Sequence, residues 1–337
     1  MSVEQTDNRW RPSADLAVMH CRAELLNKIR CFFNDRQVLE VDTPVLSHAG
    51  NPDAYIESFV SQYDGPGGSK KLYLQSSPEF AMKRLLSSGS GPIYQICKAF
   101  RNEELSRLHN PEFTMLEWYR PGFGHHELMS EVEDLLKYLG LLSGDQRVLK
   151  MTYQALFERY ADVSSHSADL SDLWVCIQEH NINLSNQNAN DNGGRPDFDK
   201  DTLLNVILTH VIEPELSQIP FVFVYDFPPS QASLAKIRSS TPPVAERFEL
   251  YGKGMELANG FNELTDNVEQ HDRFVQDQMR RKQKQQQEIQ IDQYLIDALS
   301  EGMPDCAGVA MGLDRLLMLL SGKQTLKEVM AFPFDRA

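Results

Sequence analysis

The chain has 337 residues, with 33 Lys and Arg against 48 Asp and Glu, which gives a formal net charge of −15. This acidity disfavours a broad nucleic-acid-binding face, which needs clustered Lys and Arg, although it does not exclude a local basic rim. The 5 cysteines form no Cys-x-x-Cys pair and no zinc spacing, and no apolar run reaches membrane-spanning length. We therefore expect a cytoplasmic protein with one large domain and an insertion, or with two small domains.

The first predicted elements are a helix over residues 15–35 and an extended segment over residues 38–43. The segment 64–71, which contains Gly, Pro, Ser and Lys, is predicted to be a plain loop. No Gly-Lys-Ser/Thr sequence follows it, so a phosphate-binding loop is not expected there.

Two β-compatible runs, 93–99 and 113–119, are separated by turn-forming residues and predict a pair of strands. Because side chains alternate along a strand, Phe113, Glu117 and Tyr119 share one face. A face with charged and hydroxyl groups is poorly suited to a dry core, since buried charges need partners. This face is either a functional surface or a solvated sheet face with a surface ion pair.

Residues 125–220 are predicted to be mostly helical, interrupted by a polar loop over 185–201 that is rich in Asn, Asp and Gly. Farther along, the Gln- and Lys-rich stretch 282–290 is predicted to be the end of an exposed helix.

Residues 247–263 predict a hairpin with Lys253-Gly254 as its two-residue turn, because glycine accepts positive φ. This turn pairs Tyr251 with Glu256 and so brings Glu256 to the face of Glu249. Two neighbouring carboxylates are costly unless a cation lies between them. A three-residue turn would instead point the two carboxylates to opposite faces.

The position of the later hairpin residues depends on a possible bulge. Continued alternation places three residues on the face opposite Glu256: Asn259, Phe261 and Glu263. A bulge at Gly254 or Gly260 would reverse this assignment.

The last motif is a short apolar strand from Cys306 to Gly312, followed by apolar residues at helical spacing up to Ser321. Arg315 falls in the first turn of that helix, where free N–H groups and the helix dipole favour an anion. Taken alone, the segment is more typical of an amphipathic helix with one exposed Arg.

Together and in this order, three segments resemble the class II aminoacyl-tRNA synthetases, in particular the lysyl branch. Ile29–Leu46 resembles motif 1, with Pro44 as its proline, Phe100–Tyr119 resembles motif 2, and Cys306–Leu320 resembles motif 3. The resemblance implies an α+β fold with an antiparallel β-sheet of about six strands flanked by helices. It also implies ATP and Mg²⁺ as cofactors.

The same resemblance implies two catalytic residues, Arg101 on the α-phosphate and the substrate carboxylate and Arg315 on the γ-phosphate of ATP. It implies Glu249 and Glu256 as ligands of Mg²⁺. The residues expected to bind ATP are Arg101, Asn102, Glu103, Asn110, Phe113, Glu249, Leu250, Gly312 and Arg315. Within this set, Glu103, Asn110 and Phe113 are expected at the adenine end, with Phe113 stacked on the ring.

The resemblance further implies a pocket for a cationic amino acid. The residues expected to bind this substrate are Ser77, Pro78, Glu79, Glu117, Tyr119, Glu256, Asn259, Phe261, Glu263 and Ala310. Glu79 is expected on the α-amino side, and Tyr119 and Glu263 are expected at the distal ammonium. Ala310 stands where lysyl-tRNA synthetases have glycine, which would reshape the floor of the pocket.

Lysyl-tRNA synthetases carry an anticodon-binding β-barrel before this core, and a motif 1 helix that begins so early leaves no room for one. We expect residues 1–337 to form a single catalytic domain with a mostly helical insertion at about 125–220. Such a core resembles the ligases that activate (R)-β-lysine, or lysine, with ATP and transfer it to a lysine side chain of translation elongation factor P. Three segments carry this closer resemblance: Ser77–Glu79, Phe227–Leu234 and Gly302–Cys306.

Motif 1 forms the subunit interface in this family, so a homodimer is expected, with neither tRNA nor a membrane as partner. One alternative is a stand-alone lysyl-tRNA synthetase-like enzyme acting on tRNA, which would share every active-site residue. A second alternative is an inactive regulatory paralogue, which the intact motif arginines and carboxylate pair disfavour.

Overall fold

The computed structural model describes residues 10–184 and 198–337, so most of the predicted loop 185–201 lies outside the described residues. The α-helices of these ranges are α1 (Leu16–Asn34), α2 (Glu79–Ser87), α3 (His125–Tyr138), α4 (Tyr153–Ala161), α5 (Leu170–Glu179), α6 (Lys200–Ile207), α7 (Glu213–Leu216), α8 (Asn267–Gln283), α9 (Gln293–Gly302) and α10 (Leu313–Ser321). The strands are β1 (Leu39–Glu40), β2 (Leu46–Ser47), β3 (Val60–Gly65), β4 (Gly68–Leu74), β5 (Ile93–Phe100), β6 (Glu112–Pro121), β7 (Leu149–Thr152), β8 (Phe221–Phe227), β9 (Ile237–Arg238), β10 (Val244–Gly252), β11 (Met255–Asn262) and β12 (Cys306–Gly312).

The main sheet of the described residues has nine strands in the order β1-β5-β6-β12-β11-β10-β8-β7, with β9 paired to β10. The outer pairs β1·β5 and β7·β8 are parallel. The expected α+β class is confirmed, but the expected sheet of about six antiparallel strands is wrong, because the sheet is larger and mixed. The six central strands from β5 to β8 are antiparallel, whereas the additional edge strands are too short to show a period-two pattern.

A second sheet pairs β2, β4 and β3. The predicted loop 64–71 is therefore wrong, since most of it belongs to the β3–β4 hairpin. Nearly all side chains of β3 and of the first half of β4 are exposed, so neither strand shows the alternation of apolar and polar residues that marks a half-buried strand.

Helices α1, α3 and α10 cover one face of the main sheet with a hydrophobic core that includes Leu116 and Trp118 of β6. Helices α4 to α7 pack against β8 through a second cluster, and α2, α8 and α9 enclose a third. The helical character predicted for 125–220 agrees with α3 to α7, although β7 also lies within this segment. The face of β6 opposite Trp118 is not covered by α1, α3 or α10, and that face carries the candidate site.

Candidate active site

A cavity of about 520 Å³ lies over the open face of the main sheet, between that face, α2 and α8. It is lined by 13 of the residues expected to bind ATP or substrate: Ser77, Glu79, Arg101, Asn110, Phe113, Glu117, Glu249, Glu256, Asn259, Phe261, Ala310, Gly312 and Arg315. These residues come from segments more than 200 positions apart, and the central strands β6, β10, β11 and β12 bring most of them to one surface.

Arg101 extends from the end of β5 into one half of the cavity, which we call the arginine half (Arg101, Phe113 and Arg315). Its guanidinium lies 5.2 Å from the centre of the Phe113 ring, and its Nη1 is 3.7 Å from Glu104. Its Nε is buried and has no hydrogen-bond partner among the described residues. Arg101 therefore retains donor capacity for an anion, which matches the chemistry of a phosphate or carboxylate.

Arg315 occupies the first turn of α10, and three contacts fix its orientation. It donates hydrogen bonds to the carbonyl oxygens of Leu108 (3.3 Å) and Glu256 (2.8 Å), and its Nη2 lies 2.8 Å from His109 Nε2. Burial and the nearby Arg315 charge lower the pKa of His109, so the imidazole stays neutral and can accept this bond. Sequence reasoning missed His109, which no motif pattern distinguishes.

The β10–β11 hairpin places the two expected metal ligands side by side. Lys253 and Gly254 both have positive φ, and Tyr251 pairs with Glu256, so the predicted two-residue turn is confirmed. Between Leu250 and Tyr251 the register shifts by one residue, which leaves Leu257 as the extra residue of a bulge.

This bulge reverses the alternation beyond it. Asn259 pairs with Glu249, and Phe261 pairs with Arg247, so both residues join the cavity face of Glu249 and Glu256. The first expectation, that Asn259, Phe261 and Glu263 lie opposite Glu256, is therefore wrong. The bulge that we left open exists, but it lies at Leu257 rather than at a glycine.

Glu249 is buried, accepts a hydrogen bond from the Tyr251 hydroxyl (2.6 Å) and forms an ion pair with Arg247. Burial raises the pKa of Glu249; Arg247 opposes this effect and the Glu256 charge reinforces it. Burial, with the charges of Glu256 and Glu249, also raises the pKa of Glu213 to about 7. This excess of carboxylates fits a cation, although no group of three or more His, Cys, Asp or Glu in the described ranges forms a metal cluster by itself.

Beside the arginine half lies an acidic slot, which we define as Glu79 and Glu117 of the cavity lining together with Tyr119 and Glu263, which are buried next to them. Glu117 is 2% exposed and accepts hydrogen bonds from Ser77 Oγ (2.5 Å) and the Tyr119 hydroxyl (3.2 Å). Burial and the Glu79 charge raise the pKa of Glu117 to about 8. A buried carboxylate with such an environment favours a cationic ligand that would supply the missing positive charge.

The protein-family model "tRNA synthetases class II (D, K and N)" matches residues 8–336. The chain belongs to this family. A relative from Vibrio cholerae serotype O1, named elongation factor P–(R)-beta-lysine ligase, is 48% identical over 338 residues, covering 98% of this chain and 100% of the relative. Relatives of the same name from Salmonella paratyphi A and Salmonella arizonae are each 47% identical over 330 residues, covering 97% of this chain and 98% of the relative. The resemblance identified from the motifs is confirmed.

Six expected residues of this class II synthetase are not among those that line the main cavity: Pro78, Asn102, Glu103, Tyr119, Leu250 and Glu263. Tyr119 and Glu263 are buried instead: the Tyr119 hydroxyl donates to Glu117, and Glu263 forms an ion pair with Lys83. Pro78 precedes α2 and lines an adjacent cavity of about 430 Å³.

Asn102 and Glu103 lie in the turn after β5, where the Asn102 backbone N–H donates to the Glu57 carbonyl oxygen (2.8 Å) and Glu103 is exposed. The Leu250 side chain is completely buried in the core, because alternation along β10 points it away from Glu249. The expected contact between Leu250 and ATP therefore has no support from its side chain.

Strand β12 of the synthetase supplies small residues to the cavity face, where both neighbouring strands supply large ones. Ala310 pairs with Glu117 on one side and Asn259 on the other. Gly308 lies in the same way between Tyr119 and Phe261. A Cβ at Gly308 would lie 2.3 Å from Tyr119 Cε1 and 2.4 Å from Glu263 Oε1. Sequence reasoning missed Gly308, which alternation from Ala310 along β12 could have revealed.

Lys83 is a second residue that sequence reasoning missed. It follows Glu79 by one helical turn on α2, is 1% exposed, and its Nζ lies 2.7 Å from Glu79 and 2.6 Å from Glu263. Burial alone would lower the pKa of Lys83, but the charges of Glu263 and Glu79 raise it, so the ammonium stays charged. The i, i+4 spacing of Glu79 and Lys83 was the available signal, yet surface pairs with this spacing are common.

The described parts of the synthetase contain no helix that is both long enough and apolar enough to cross a bilayer.

Proposed function

We propose that this chain activates (R)-β-lysine, or lysine, with ATP and transfers the acyl group to a lysine side chain of elongation factor P. The observation that carries the proposal is the acidic slot beside the two arginines, which suits an amino acid with two amino groups next to a nucleotide. The names of the relatives, together with their near-complete coverage by this chain, support the same acceptor protein.

In the activation step, a carboxylate oxygen of the amino acid attacks the α-phosphorus of ATP, and pyrophosphate leaves. Both reactants are anions, so catalysis depends on positive charge and alignment more than on a general base. Arg101 would hold the α-phosphate and the carboxylate, and Arg315 would hold the γ-phosphate. Phe113, Asn110 and Glu103 would hold the adenine end.

Mg²⁺ bound by Glu249 and Glu256 would neutralise phosphate charge. Magnesium commonly takes one or two carboxylates and completes its coordination with substrate phosphates and water, which suits this pair of oxygen donors. The acceptor lysine would then attack the acyl carbonyl as a free amine, with AMP as the leaving group and one proton released.

At the amino acid end, Glu79 would contact the amino group nearer the carboxylate. Glu117, Tyr119 and Glu263 would surround the distal ammonium. Glu263 supports this arrangement because its Oε1 is buried and lacks a hydrogen-bond partner within the two described ranges. A buried acceptor of this kind is costly unless a ligand satisfies it.

The affinity for the amino acid is expected to rise with pH between about 6 and 8.5. Burial raises the pKa of Glu117 to about 8 and that of Glu263 to about 7, so near neutral pH each carboxyl is partly protonated. The charged forms, which bind ammonium groups, dominate above these values. The KM for lysine in ATP–pyrophosphate exchange should therefore fall across this range while the KM for ATP stays nearly constant. A flat profile for lysine would contradict the assignment.

Replacing Ala310 with Gly is expected to shift the ratio of kcat/KM toward lysine and away from (R)-β-lysine by about tenfold. Ala310 lies on the slot floor between Glu117 and Asn259, where one methyl group can select the position of an amino group. Ala307→Gly is the matched control, since Ala307 lies on the same strand but is buried in the core on the opposite face. If Ala310→Gly and Ala307→Gly had the same ratio of kcat/KM for lysine to kcat/KM for (R)-β-lysine, this role of Ala310 would be contradicted.

The acceptor is tested by mass spectrometry of elongation factor P after incubation with ATP and each lysine isomer. A mass increase by one lysyl group is expected, and a parallel incubation with tRNA and labelled lysine is expected to give no charging. Charging of tRNA would favour the alternative of a stand-alone lysyl-tRNA synthetase-like enzyme. Absence of ATP–pyrophosphate exchange with either isomer would favour an inactive paralogue.

We further propose that residues 1–337 act as a single catalytic domain and that the protein is a homodimer in the cytoplasm. The motif 1 segment supports the dimer because Leu39, Val45 and Leu46 are 57%, 39% and 46% exposed. Light scattering coupled to gel filtration should give twice the monomer mass, and a monomer mass would exclude the dimer.

A further inference from the structure

Lys83 is a buried cation within a slot that must itself bind cations. Its ammonium is enclosed by Glu79 from its own helix and by Glu263 from the segment after β11, at the distances given above. Glu79 and Glu263 come from opposite sides of the slot, so Lys83 joins its two walls.

The polar contacts continue from Lys83 around the slot. The Glu79 backbone N–H donates to Ser77 Oγ (3.0 Å), and Ser77 donates in turn to Glu117 (2.5 Å). Tyr119 closes the chain by donating to the other oxygen of Glu117 (3.2 Å). Lys83 therefore contacts two of the three slot carboxylates directly, and the third, Glu117, is linked to Glu79 through Ser77 and the Glu79 backbone.

Charge counting gives Lys83 a specific purpose. With Glu79, Glu117, Glu263 and Lys83 all ionised, the slot carries a formal charge of −2, which equals the charge of the two ammonium groups on lysine or β-lysine. Without Lys83 the slot would hold the buried carboxylates of Glu117 and Glu263 and the partly exposed one of Glu79, and such like charges retain a proton rather than all ionise. That proton would have to leave before a doubly charged ligand could bind.

We propose that Lys83 is a positioning residue that fixes Glu79 and Glu263 and holds the slot at a charge matched to a doubly aminated amino acid. This inference rests on the proposed function, because it deepens the account of how the same slot selects its substrate. Lys83 acts through the two carboxylates and does not itself touch the substrate.

Other titratable groups around the pair come from several elements. They are Glu117 and Tyr119 on β6, Cys306 on β12, and the ion pair between the partly exposed Lys236 and the exposed Asp305 (2.5 Å). The Lys236 charge acts on Glu263 more weakly than Lys83 does, so it does not replace the buried ammonium. Removal of Lys83 should therefore move the titration of the slot to higher pH.

The test measures ATP–pyrophosphate exchange of Lys83→Met across pH 6 to 9. The pH at which kcat/KM for lysine reaches half its maximum should rise by about one unit. At pH values below both midpoints, this shift corresponds to a kcat/KM about tenfold lower than that of the unmodified protein. The KM for ATP should change less than about twofold. Methionine keeps most of the side-chain volume, so a purely structural role would lower stability without moving the midpoint.

Glu79→Gln/Lys83→Met is the second variant, because it removes one charge of each sign and so restores −2. Its midpoint should return toward that of the unmodified protein, although its KM for lysine stays high for lack of the Glu79 contact. It also keeps the test decisive if Lys83→Met alone fails to fold, because it leaves one carboxylate, Glu263, without the ammonium instead of two.

An unchanged midpoint in Lys83→Met, or a double variant whose midpoint stays displaced, would overturn the role of Lys83. The unmodified protein separates this result from the proposed function. If it fails to exchange with either lysine isomer, the proposed function fails; if it exchanges normally and the variants keep its pH profile, only the role of Lys83 fails.

Discussion

Arg101→Ala is expected to lower the rate of ATP–pyrophosphate exchange by about 10²–10³-fold. The attacking carboxylate and the α-phosphate are both anions, and their approach needs a fixed cation between them. The Arg101 Nε lacks a hydrogen-bond partner among the described residues, and its Nη1 makes only a 3.7 Å ion pair with Glu104. The guanidinium can therefore bind the two anions. Arg101→Lys should recover part of the rate, since it keeps the charge and loses the two-fork geometry.

Arg159→Ala is the matched control, because Arg159 is exposed on α4 at a distance from the cavity lining. It should leave the exchange rate unchanged. Thermal unfolding of Arg101→Ala should resemble that of the unmodified protein, since Arg101 makes few stabilising contacts. An Arg101→Ala rate within about threefold of the unmodified rate would contradict its assignment to the reaction.

Gly308→Ala is expected to reduce kcat/KM for the amino acid by about 10²-fold or more while ATP binding stays nearly normal. The added Cβ would lie 2.3 Å from Tyr119 and 2.4 Å from Glu263, far inside contact distance. Both side chains belong to the acidic slot, so they must move away from the positions that would hold the distal ammonium. The comparison requires the KM for lysine in the exchange assay and a calorimetric Kd for ATP.

Gly260→Ala gives the matched contrast from the neighbouring strand. A Cβ there would lie 2.4 Å from Phe248, a core residue on the opposite face of the sheet. Overpacking of this kind costs about 1–3 kcal/mol, so Tm should fall while the KM for lysine of the folded enzyme stays the same. If Gly308→Ala likewise lowered only Tm, the slot would not depend on the space that Gly308 leaves.

The sequence by itself determined the features that depend on neighbouring residues along the chain. Alternation along β6 puts Glu117 and Trp118 on opposite faces of the strand, and in the structure Glu117 lines the cavity while Trp118 lies in the core. The Lys253-Gly254 turn determines the pairing of Tyr251 with Glu256, because a two-residue turn fixes the register next to it. Three ordered motifs were also enough to identify the synthetase family.

Tertiary structure decided the features that depend on contacts between distant segments. The bulge at Leu257 appears only when β11 pairs with β10, and it brings Asn259 and Phe261 to the cavity face. The sequence around Lys83 indicates only a helical ion pair with Glu79. The fold adds the contact with Glu263, which lies 180 positions later in the chain. Gly308 gains its importance only between Tyr119 and Glu263. Local patterns carry no information on such contacts, because burial and charge pairing are set by whichever segments the fold brings together.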